Sequence, residues 1–299
     1  MPGGAERILK RRITSVSNTK KITRAMELIA ATRVARAQER ARGARPYAEQ
    51  LTKVIEDLAA GGASVDHPLL QPAENVREVA FVVCAADRGL AGAYNAQVLR
   101  TAEREVSALR AEGAGYRLLT IGRKATDYFR FRGYTIDSTY AGFTDSPSYD
   151  DAREVAQRVR TLFDSTEVDQ VELVFTEFVS LGTQRPVVRR FLPLEPTEVI
   201  ATSGDRTALA GYSFEPSPEG VLSDLLPRYV EARLFAALLD AAASEHASRQ
   251  RAMKAATDNA EELIVKLSRA MNRARQEAIT TEIMEIVGGA EALGTDDEL

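Results

Sequence analysis

The C-terminal quarter of the chain carries a long, regular alternation of apolar and charged positions. Residues 228–287 contain neither Gly nor Pro over 60 positions, so one helix there would be roughly 90 Å long at ~1.5 Å per residue. Alternate steps of three and four residues from Tyr229 meet no charged side chain. The positions are Ala232, Ala236, Leu239, Ala243, His246, Gln250, Met253, Thr257, Ala260, Ile264, Leu267, Met271, Ala274 and Ala278. Such a sustained heptad seam predicts a left-handed coiled coil.

A second seam lies near the start of the chain. From Val34 the same steps meet only apolar residues, namely Ala37, Ala41, Ala44, Ala48, Leu51, Ile55 and Leu58. Ile22, Met26 and Ile29 extend this seam less regularly towards the N-terminus.

The N-terminal seam stays in phase past Pro46, which predicts a kinked helix rather than a break. We expect this helix over about residues 5–59, ending at Gly61-Gly62. Because a compact insert would return the chain, the two terminal helices are predicted to pair antiparallel.

Between the seams, short apolar runs rich in β-branched residues alternate with helical segments. The predicted strands are residues 78–86, 116–122, 134–140, 169–180 and, at a sheet edge, 185–194. The predicted helices are 94–112, 123–132 and 149–164, the last with Ser148 as N-cap. Residues 195–220 are predicted to be a loop with a hairpin-like piece at 211–216. The alternation predicts a mostly parallel sheet with helices on its faces.

The expected fold class is therefore α/β: a long antiparallel coiled coil of the N- and C-terminal helices plus a Rossmann-like, mostly parallel α/β insert. The expected parts are an N-terminal helix at 1–60, the insert at 75–200, a C-terminal helix at 210–293 and an acidic tail at 294–299.

The turn after the first strand is where a nucleotide-binding fold would place its phosphate loop. Its sequence, DRGLAGAYN at 87–95, has glycines three apart and lacks the G-x-G-x-x-G spacing. We interpret it as a structural turn in which Asp87 and Arg88 pair with each other or with a neighbouring helix. The motifs G-x-x-x-x-G-K-[ST], G-x-S-x-G and H-E-x-x-H do not occur in the sequence.

One cysteine and two histidines limit the remaining chemistry. A lone cysteine excludes an intrachain disulfide and a cysteine-built metal site. Cys84 lies within an apolar strand, which predicts a core residue. His67 is expected at the surface, and His246 on the seam, where a polar residue can fix the helix register. We expect no catalytic residue, no cofactor and no metal.

The charge of the chain is unevenly distributed. The formal net charge is -4, yet residues 5–42 hold eleven Lys or Arg against three Glu. A basic end on an acidic protein predicts an acidic partner surface, a nucleic acid or simply a solvated helix face. No apolar run is long enough to span a membrane, and the N-terminus lacks the apolar segment of a secretory signal. We therefore expect no direct membrane insertion.

Five long stretches of the chain resemble the gamma-subunit family of F-type rotary ATP synthases. They are RRITSVSNTKKITRAMELIAATRVARAQE at 11–39, DRGLAGAYN at 87–95, PRYVEARLF at 227–235, EHASRQRAMKAATDNAEELI at 245–264 and NRARQEAITTEIMEIVGGAEAL at 272–293. The resemblance covers essentially the whole chain. Ala91 stands where the family more often has Cys, and the cysteine-bearing insert of chloroplast relatives is absent. The resemblance therefore implies no dithiol switch.

This resemblance implies a non-catalytic rotor subunit of the central stalk. Such a subunit would transmit torque between the membrane c ring and a hexamer of three alpha and three beta subunits, so that a proton gradient drives ATP synthesis. It would also influence ATPase activity and proton flow. Its partners would be the alpha, beta and epsilon subunits and the c ring, with no nucleic acid. It would be peripheral on the cytoplasmic face of the cell membrane, as part of the complex.

The resemblance also implies which residues meet partners. Arg275 and Gln276 match positions that touch beta-subunit loops, and Met26 matches a position near an acidic beta-subunit lever. Met26 is flanked by Lys20, Lys21 and Arg24.

Two further regions are implied to meet partners. An apolar bearing tip would consist of Ile279, Ile283, Ile286 and Val287, with Gly288 and Gly289 ending the helix. A foot towards the rotor ring and epsilon would contain Phe214, Glu215 and Pro216.

Two other functions remain open from the sequence. The glycine turn at 89–92 is compatible with a dinucleotide-dependent enzyme that has helical arms. The basic N-terminal segment is compatible with a coiled-coil tether or a nucleic-acid-binding arm.

Overall fold

Two long helices begin and end the fold. The computed structural model describes residues 3–60, 67–73, 75–194 and 217–294. Helix α1 spans Gly3–Ala60 and helix α5 spans Pro218–Gly294. The elements between them are a 3-10 turn at Pro68–Leu70, β1 Glu78–Cys84, α2 Tyr94–Ala111, β2 Gly115–Ile121, α3 Arg123–Phe131, β3 Ser138–Tyr140, α4 Tyr149–Asp164, β4 Gln170–Phe178 and β5 Gln184–Leu192.

The sheet has five strands in the order β3-β2-β1-β4-β5. The first four strands are parallel and β5 pairs antiparallel with β4 at the edge. The predicted fold class, with its mostly parallel insert and two long terminal helices, is confirmed.

Most element ends lie within two residues of their predicted positions, but β3 and α5 differ more. Strand β3 starts at Ser138, because Gly133 with φ 78° and the N–H of Tyr134, which donates to the carbonyl of Phe129, close the end of α3 first.

Helix α5 begins ahead of Pro227 and runs on through Gly288 and Gly289, which were predicted to end it. A glycine costs a helix only about 1 kcal/mol, and it stops the helix only where the backbone turns left-handed. Helix α1 is continuous through Pro46. The predicted helix stop at Gly61-Gly62, the piece at 211–216 and the foot residues Phe214, Glu215 and Pro216 lie outside the described residues.

The chain divides into two compact units, one from Met1–Ile29 with Gln250–Leu299 and one from Ala30–Arg249. The second unit contains the sheet. After Glu78, strand β1 is apolar from Val79 to Cys84, and these residues are buried because both faces of the strand are covered. Val79, Phe81 and Val83 pack with α2 and α3, whereas Ala80, Val82 and Cys84 join the core shared with α4.

His67 differs from its predicted surface position. It is half-buried and caps the 3-10 turn, where its Nδ1 accepts from the N–H of Leu69 at 3.2 Å. Burial lowers the pKa of this histidine.

Cys84 gives a first testable prediction. The side chain is buried, and burial raises the pKa of its thiol to about 12. Since only the thiolate is nucleophilic, we expect iodoacetamide at pH 8 to leave Cys84 unmodified in the folded chain and to modify it in urea. Intact-mass spectrometry measures the difference, and fast labelling of the folded protein would contradict the buried position.

Candidate partner-binding surfaces on the terminal helices

Two cross-helix contacts fix the antiparallel register of the first unit. The hydroxyls of Thr23 and Thr257 are 2.8 Å apart, and Lys20 Nζ lies 3.1 Å from Glu261 Oε1. The residue numbers that meet therefore sum to about 280, which places the start of α1 opposite about residue 277 of α5. Beyond that level α5 has no α1 residue beside it.

Burial along α5 follows the predicted seam in this unit. Met253, Thr257 and Ala260 are buried, and the seam positions from Ile264 to Ala278 are half-buried, while their neighbours are mostly exposed. This part of the coiled coil was predictable because every seam position is uncharged.

The α1 seam predicted from Val34 is buried at Val34, Ala37, Leu51 and Ile55. Its predicted extension towards the N-terminus lies one position away from the buried side chains. Ile22 is 61% exposed and Ile29 is also exposed, whereas Thr23, Glu27 and Ala30 are buried. The two polar residues are tolerated because each has a partner: Thr23 bonds Thr257, and both Glu27 carboxylate oxygens accept from Arg24 at 2.9 Å. The pattern of apolar residues alone could not predict that Thr23 and Glu27 are buried while Ile22 and Ile29 are exposed.

The basic residues around Met26 differ in how available they are. Lys20 is engaged with Glu261, and Met26 is half-buried beside the seam. Lys21 and Arg24 are exposed, and the Arg24 side chain keeps 58% of its surface in solvent while it pairs with Glu27. Lys21 and Arg24 thus form the outward-facing part of this cluster.

Arg275 and Gln276 are exposed, but they lie elsewhere along the unit. The register places Met26 opposite about residue 254, so Arg275 is about 30 Å further along the coil. The structure therefore does not bring these candidate contacts into one site; it places them at two separate levels.

The end of α5 is a single exposed helix. Every residue from 279 to 290 is exposed, including the four predicted tip residues Ile279, Ile283, Ile286 and Val287. Met284, which the sequence analysis did not single out, is 70% exposed. Met284 lies between the tip residues Ile283 and Ile286, and this position in the sequence could have indicated that it belongs to the same apolar surface. A cluster of exposed apolar side chains of this kind marks an interaction surface.

The turn after β1 is filled by its own hydrogen bonds. The Asp87 carboxylate accepts from the backbone N–H groups of Arg123, Gly142 and Thr144, at 3.1, 2.8 and 3.2 Å. The side chain of Asn95 accepts from the N–H of Ala86 at 2.9 Å. Asp87 thus connects three loops at the carboxyl end of the sheet.

Sequence reasoning missed a buried ionic cluster at the same end of the sheet. Arg249 donates to Glu245 Oε1 at 2.6 Å and to the carbonyl of Gly89 at 3.2 Å. His246 Nε2 is 2.9 Å from the carbonyl of Asp145, whose carboxylate pairs with Arg33 at 2.6 Å. A Glu and an Arg four residues apart usually form a solvated pair on a helix, so the spacing gave no sign of burial.

Burial controls ionisation in this cluster. It lowers the pKa of His246 and raises the pKa of Glu245, in spite of the adjacent Arg249. Glu245 Oε2 is buried with no hydrogen-bond partner among the described residues. Through Arg249 and His246, the cluster holds α5 against the insert loops that contain Gly89 and Asp145.

Neither a metal centre nor a membrane span emerges from the described parts of the chain. Among those residues, no three His, Cys, Asp or Glu side chains are grouped so that they could hold a metal ion. In the same residues, no helix combines the length and apolarity needed to cross a membrane.

Comparison with known proteins gives one consistent family. A family model described as ATP synthase matches residues 6–293. The chain is 52% identical over 300 residues to the ATP synthase gamma chain of Frankia casuarinae, covering 98% of this chain and 99% of that one. It is 48% identical over 302 residues to the gamma chain of Mycolicibacterium smegmatis, covering 96% and 97%.

Solved structures show the same fold. The chain is similar to a chain of the Euglena gracilis mitochondrial ATP synthase, OSCP/F1/c-ring, with a TM-score of 0.71 and 17% identity over 99% of this chain and 97% of that chain. It is also similar to a chain of the Tetrahymena thermophila mitochondrial ATP synthase central stalk/c-ring, with a TM-score of 0.60 and 21% identity over 79% and 99%. Together with the full-length family match, this means that the chain belongs to the ATP synthase gamma-chain family.

Proposed function

We propose that this chain is the central-stalk rotor subunit of a proton-translocating ATP synthase. It transmits torque between the membrane c ring and a hexamer of three alpha and three beta subunits, and it performs no catalytic step itself. Family membership supports this role. The observation that carries it is the first unit: a two-helix coil with a closed seam that continues as a lone, apolar helix end.

The unlike faces of the coil supply the coupling. At the level of the Lys20–Glu261 contact, α1 presents Lys21, with Arg24 about one turn further along, whereas α5 presents acidic Glu261 and Glu262 on its exposed surface. A beta subunit that meets the basic side is bound differently from one that meets the acidic side. A ligand shifts a conformational equilibrium only through such differential affinity, so turning the shaft changes the state favoured at each site.

Exposed charges suit a surface that must turn. An exposed ion pair contributes only about 0–1 kcal/mol, so contacts of Lys21 and Arg24 with acidic beta-subunit loops can be broken and remade during rotation. Arg275 and Gln276 make a second contact with beta-subunit loops higher on α5. The tip residues Ile279, Ile283, Ile286 and Val287, with Met284, turn against an apolar sleeve.

The remaining partners are part of the same proposal. Phe214, Glu215 and Pro216 belong to the foot that meets the c ring and epsilon. The assembled complex holds the chain peripherally at the cytoplasmic face of the cell membrane.

Reconstitution tests the function directly. The chain is co-expressed with the alpha and beta subunits of its own organism, and the particle is sized and assayed for ATP hydrolysis. We expect one copy per three alpha and three beta, with ATPase activity that depends on the chain. Exclusion from the particle, together with DNA binding that weakens steeply with salt, would favour a nucleic-acid-binding arm instead.

Met26→Lys gives a specific prediction for coupling. Met26 is half-buried at the edge of the seam, so a lysine can extend its ammonium into solvent and leave the coil paired. A third cation beside Lys21 and Arg24 strengthens the contact with an acidic beta surface and resists its release. We expect normal assembly but fewer protons pumped per ATP hydrolysed, measured in inverted vesicles.

The matched control is Leu263→Lys, at an exposed apolar position of α5 in the same unit. It should leave the ratio of protons to ATP unchanged. An unchanged ratio in Met26→Lys would remove Met26 from the coupling contact.

A further inference from the structure

A group of aromatic and basic side chains lies where α2 and α3 end in the second unit. We call it the Phe131 patch; it consists of Arg110, Phe131, Arg132 and Tyr134, with Glu103 beneath them. These residues and Gly133 line an open depression of about 340 Å³. Phe131 is 89% exposed.

Tyr134 and Arg132 of the patch are held in place from below. Tyr134 packs edge-to-face on buried Phe129 at 5.4 Å and on Tyr116 at 6.0 Å between ring centroids. The Glu103 carboxylate accepts from Tyr128 at 2.6 Å and from Arg132 Nε at 2.8 Å. A surface fixed in this way loses little entropy when a partner binds.

The charged side chains of the patch differ in whether an oppositely charged group contacts them. The hydrogen bonds from Tyr128 and Arg132 lower the pKa of Glu103, so its carboxylate stays ionised and is occupied by these donors. The Arg110 guanidinium lies over the Tyr116 ring at 5.9 Å. Within the described part of the chain, no carboxylate pairs with Arg110. An arginine stacked on an aromatic ring keeps its N–H fork for a carboxylate, which it binds bidentately.

The patch lies at the end of the sheet opposite Asp87 and the buried ionic cluster. It lies at the end of the sheet where β1 and β2 begin, since α2 and α3 run back along the strands to Ala111 and Phe131. Asp87 and the Glu245–Arg249 pair lie at the opposite end, about 20 Å away along strands of this length. A partner on the Phe131 patch therefore does not compete with contacts at the carboxyl end of the sheet.

We propose that the Phe131 patch is a docking surface for an acidic segment of another subunit of the complex. The segment places a carboxylate on Arg110 and an apolar side chain on the Phe131 ring. A central aromatic residue next to an arginine is the usual composition of an energetic hot spot. This inference rests on the proposed function only in that the partner belongs to the same assembly.

A protein segment fits the patch better than a membrane surface. The patch offers one exposed apolar ring, and stable membrane binding needs two signals such as a lipid chain and a polybasic cluster.

Thiol accessibility tests the proposal in the assembled enzyme. Thr135→Cys introduces an exposed thiol one residue after Tyr134 and leaves the Phe131 ring in place, and Cys84 is buried and does not compete. We expect maleimide labelling at position 135 to slow by at least about 10-fold, equivalent to ~1.4 kcal/mol of protection, between the isolated chain and the assembled complex. Thr161→Cys, exposed on α4, should change by less than about twofold.

Two second-site variants distinguish protection that depends on a carboxylate at Arg110 from protection by any neighbouring subunit that merely covers the thiol. Adding Arg110→Glu to Thr135→Cys should restore fast labelling in the complex, while adding Arg100→Glu, at an exposed arginine on the same helix, should not. A benzophenone attached to the introduced thiol should cross-link to a peptide of another subunit that contains Asp or Glu.

The outcomes are distinct. Equal labelling at position 135 in an assembled complex would overturn the inference, and so would a cross-linked peptide without an acidic residue. Protection of the isolated chain by phosphatidylglycerol vesicles would show that lipid covers the patch, which also overturns it. If the chain fails to enter the complex, it is the proposed function that fails.

Discussion

Replacing Arg249 with methionine should lower the free energy of unfolding of the second unit by about 3–5 kcal/mol. The Arg249 and Glu245 side chains keep only 10% and 2% of their surface exposed. Without the guanidinium, Glu245 remains as a buried carboxylate whose second oxygen already lacks a partner among the described residues. Native-state hydrogen exchange of the Val82 and Val83 amides in β1 measures the loss.

The loss should grow with pH. Burial raises the pKa of Glu245 in the folded protein even beside Arg249, and removing the cation raises it further. A group with a raised folded-state pKa takes up a proton on folding, so its contribution to stability is present at low pH and lost as pH rises through the folded-state pKa. Arg249→Met should therefore be less destabilised at pH 5 than at pH 8.

A double variant provides the control. Glu245→Leu with Arg249→Met removes both charges, and replacing a whole buried pair by apolar residues is often neutral or stabilising. We expect it to be more stable than Arg249→Met alone, with no extra dependence on pH. If the double variant is the less stable of the two, buried charge is not the cause of the loss.

The second large effect concerns two phenylalanines on one helix. Phe129 is fully buried against β1 and β2, whereas Phe131, two residues later, is 89% exposed. Phe129→Ala should cost about 3–5 kcal/mol because it leaves a cavity, while Phe131→Ala should stay within about 0.5 kcal/mol. Urea unfolding followed by circular dichroism compares the two variants.

The stability of Phe131→Ala also tests the docking proposal. A large loss of stability in Phe131→Ala would mean that the ring supports the fold. The patch would then be a structural feature rather than a surface kept for a partner.

Most of the fold was predictable because its signals are local or periodic. The seam of α5, the apolar run of β1 and the N-cap Ser148 at the start of α4 all appear in the sequence at the expected places. Each depends on residues near one another in the chain, so no knowledge of the tertiary structure is needed.

The misjudged features depend on contacts between distant residues. Thr23 replaces Ile22 in the seam because Thr257 lies opposite, and Glu245 is buried because Arg249 and the loop at Gly89 enclose it. Gly288 and Gly289 did not stop α5, since a glycine ends a helix only where its backbone adopts the left-handed conformation. The candidate contact residues were exposed as expected at Lys21, Arg24, Arg275 and Gln276, and their roles remain proposals.

The register of the first unit also restricts how this family can change in length. Because Thr23 meets Thr257 and Lys20 meets Glu261, inserting one residue in either helix would rotate every later side chain by about 100° away from its partner. Whole heptads would have to be gained or lost by both helices together. Length differences among relatives should therefore accumulate in the connections of the insert and at the chain ends, and the paired segments should keep a common length over evolutionary time.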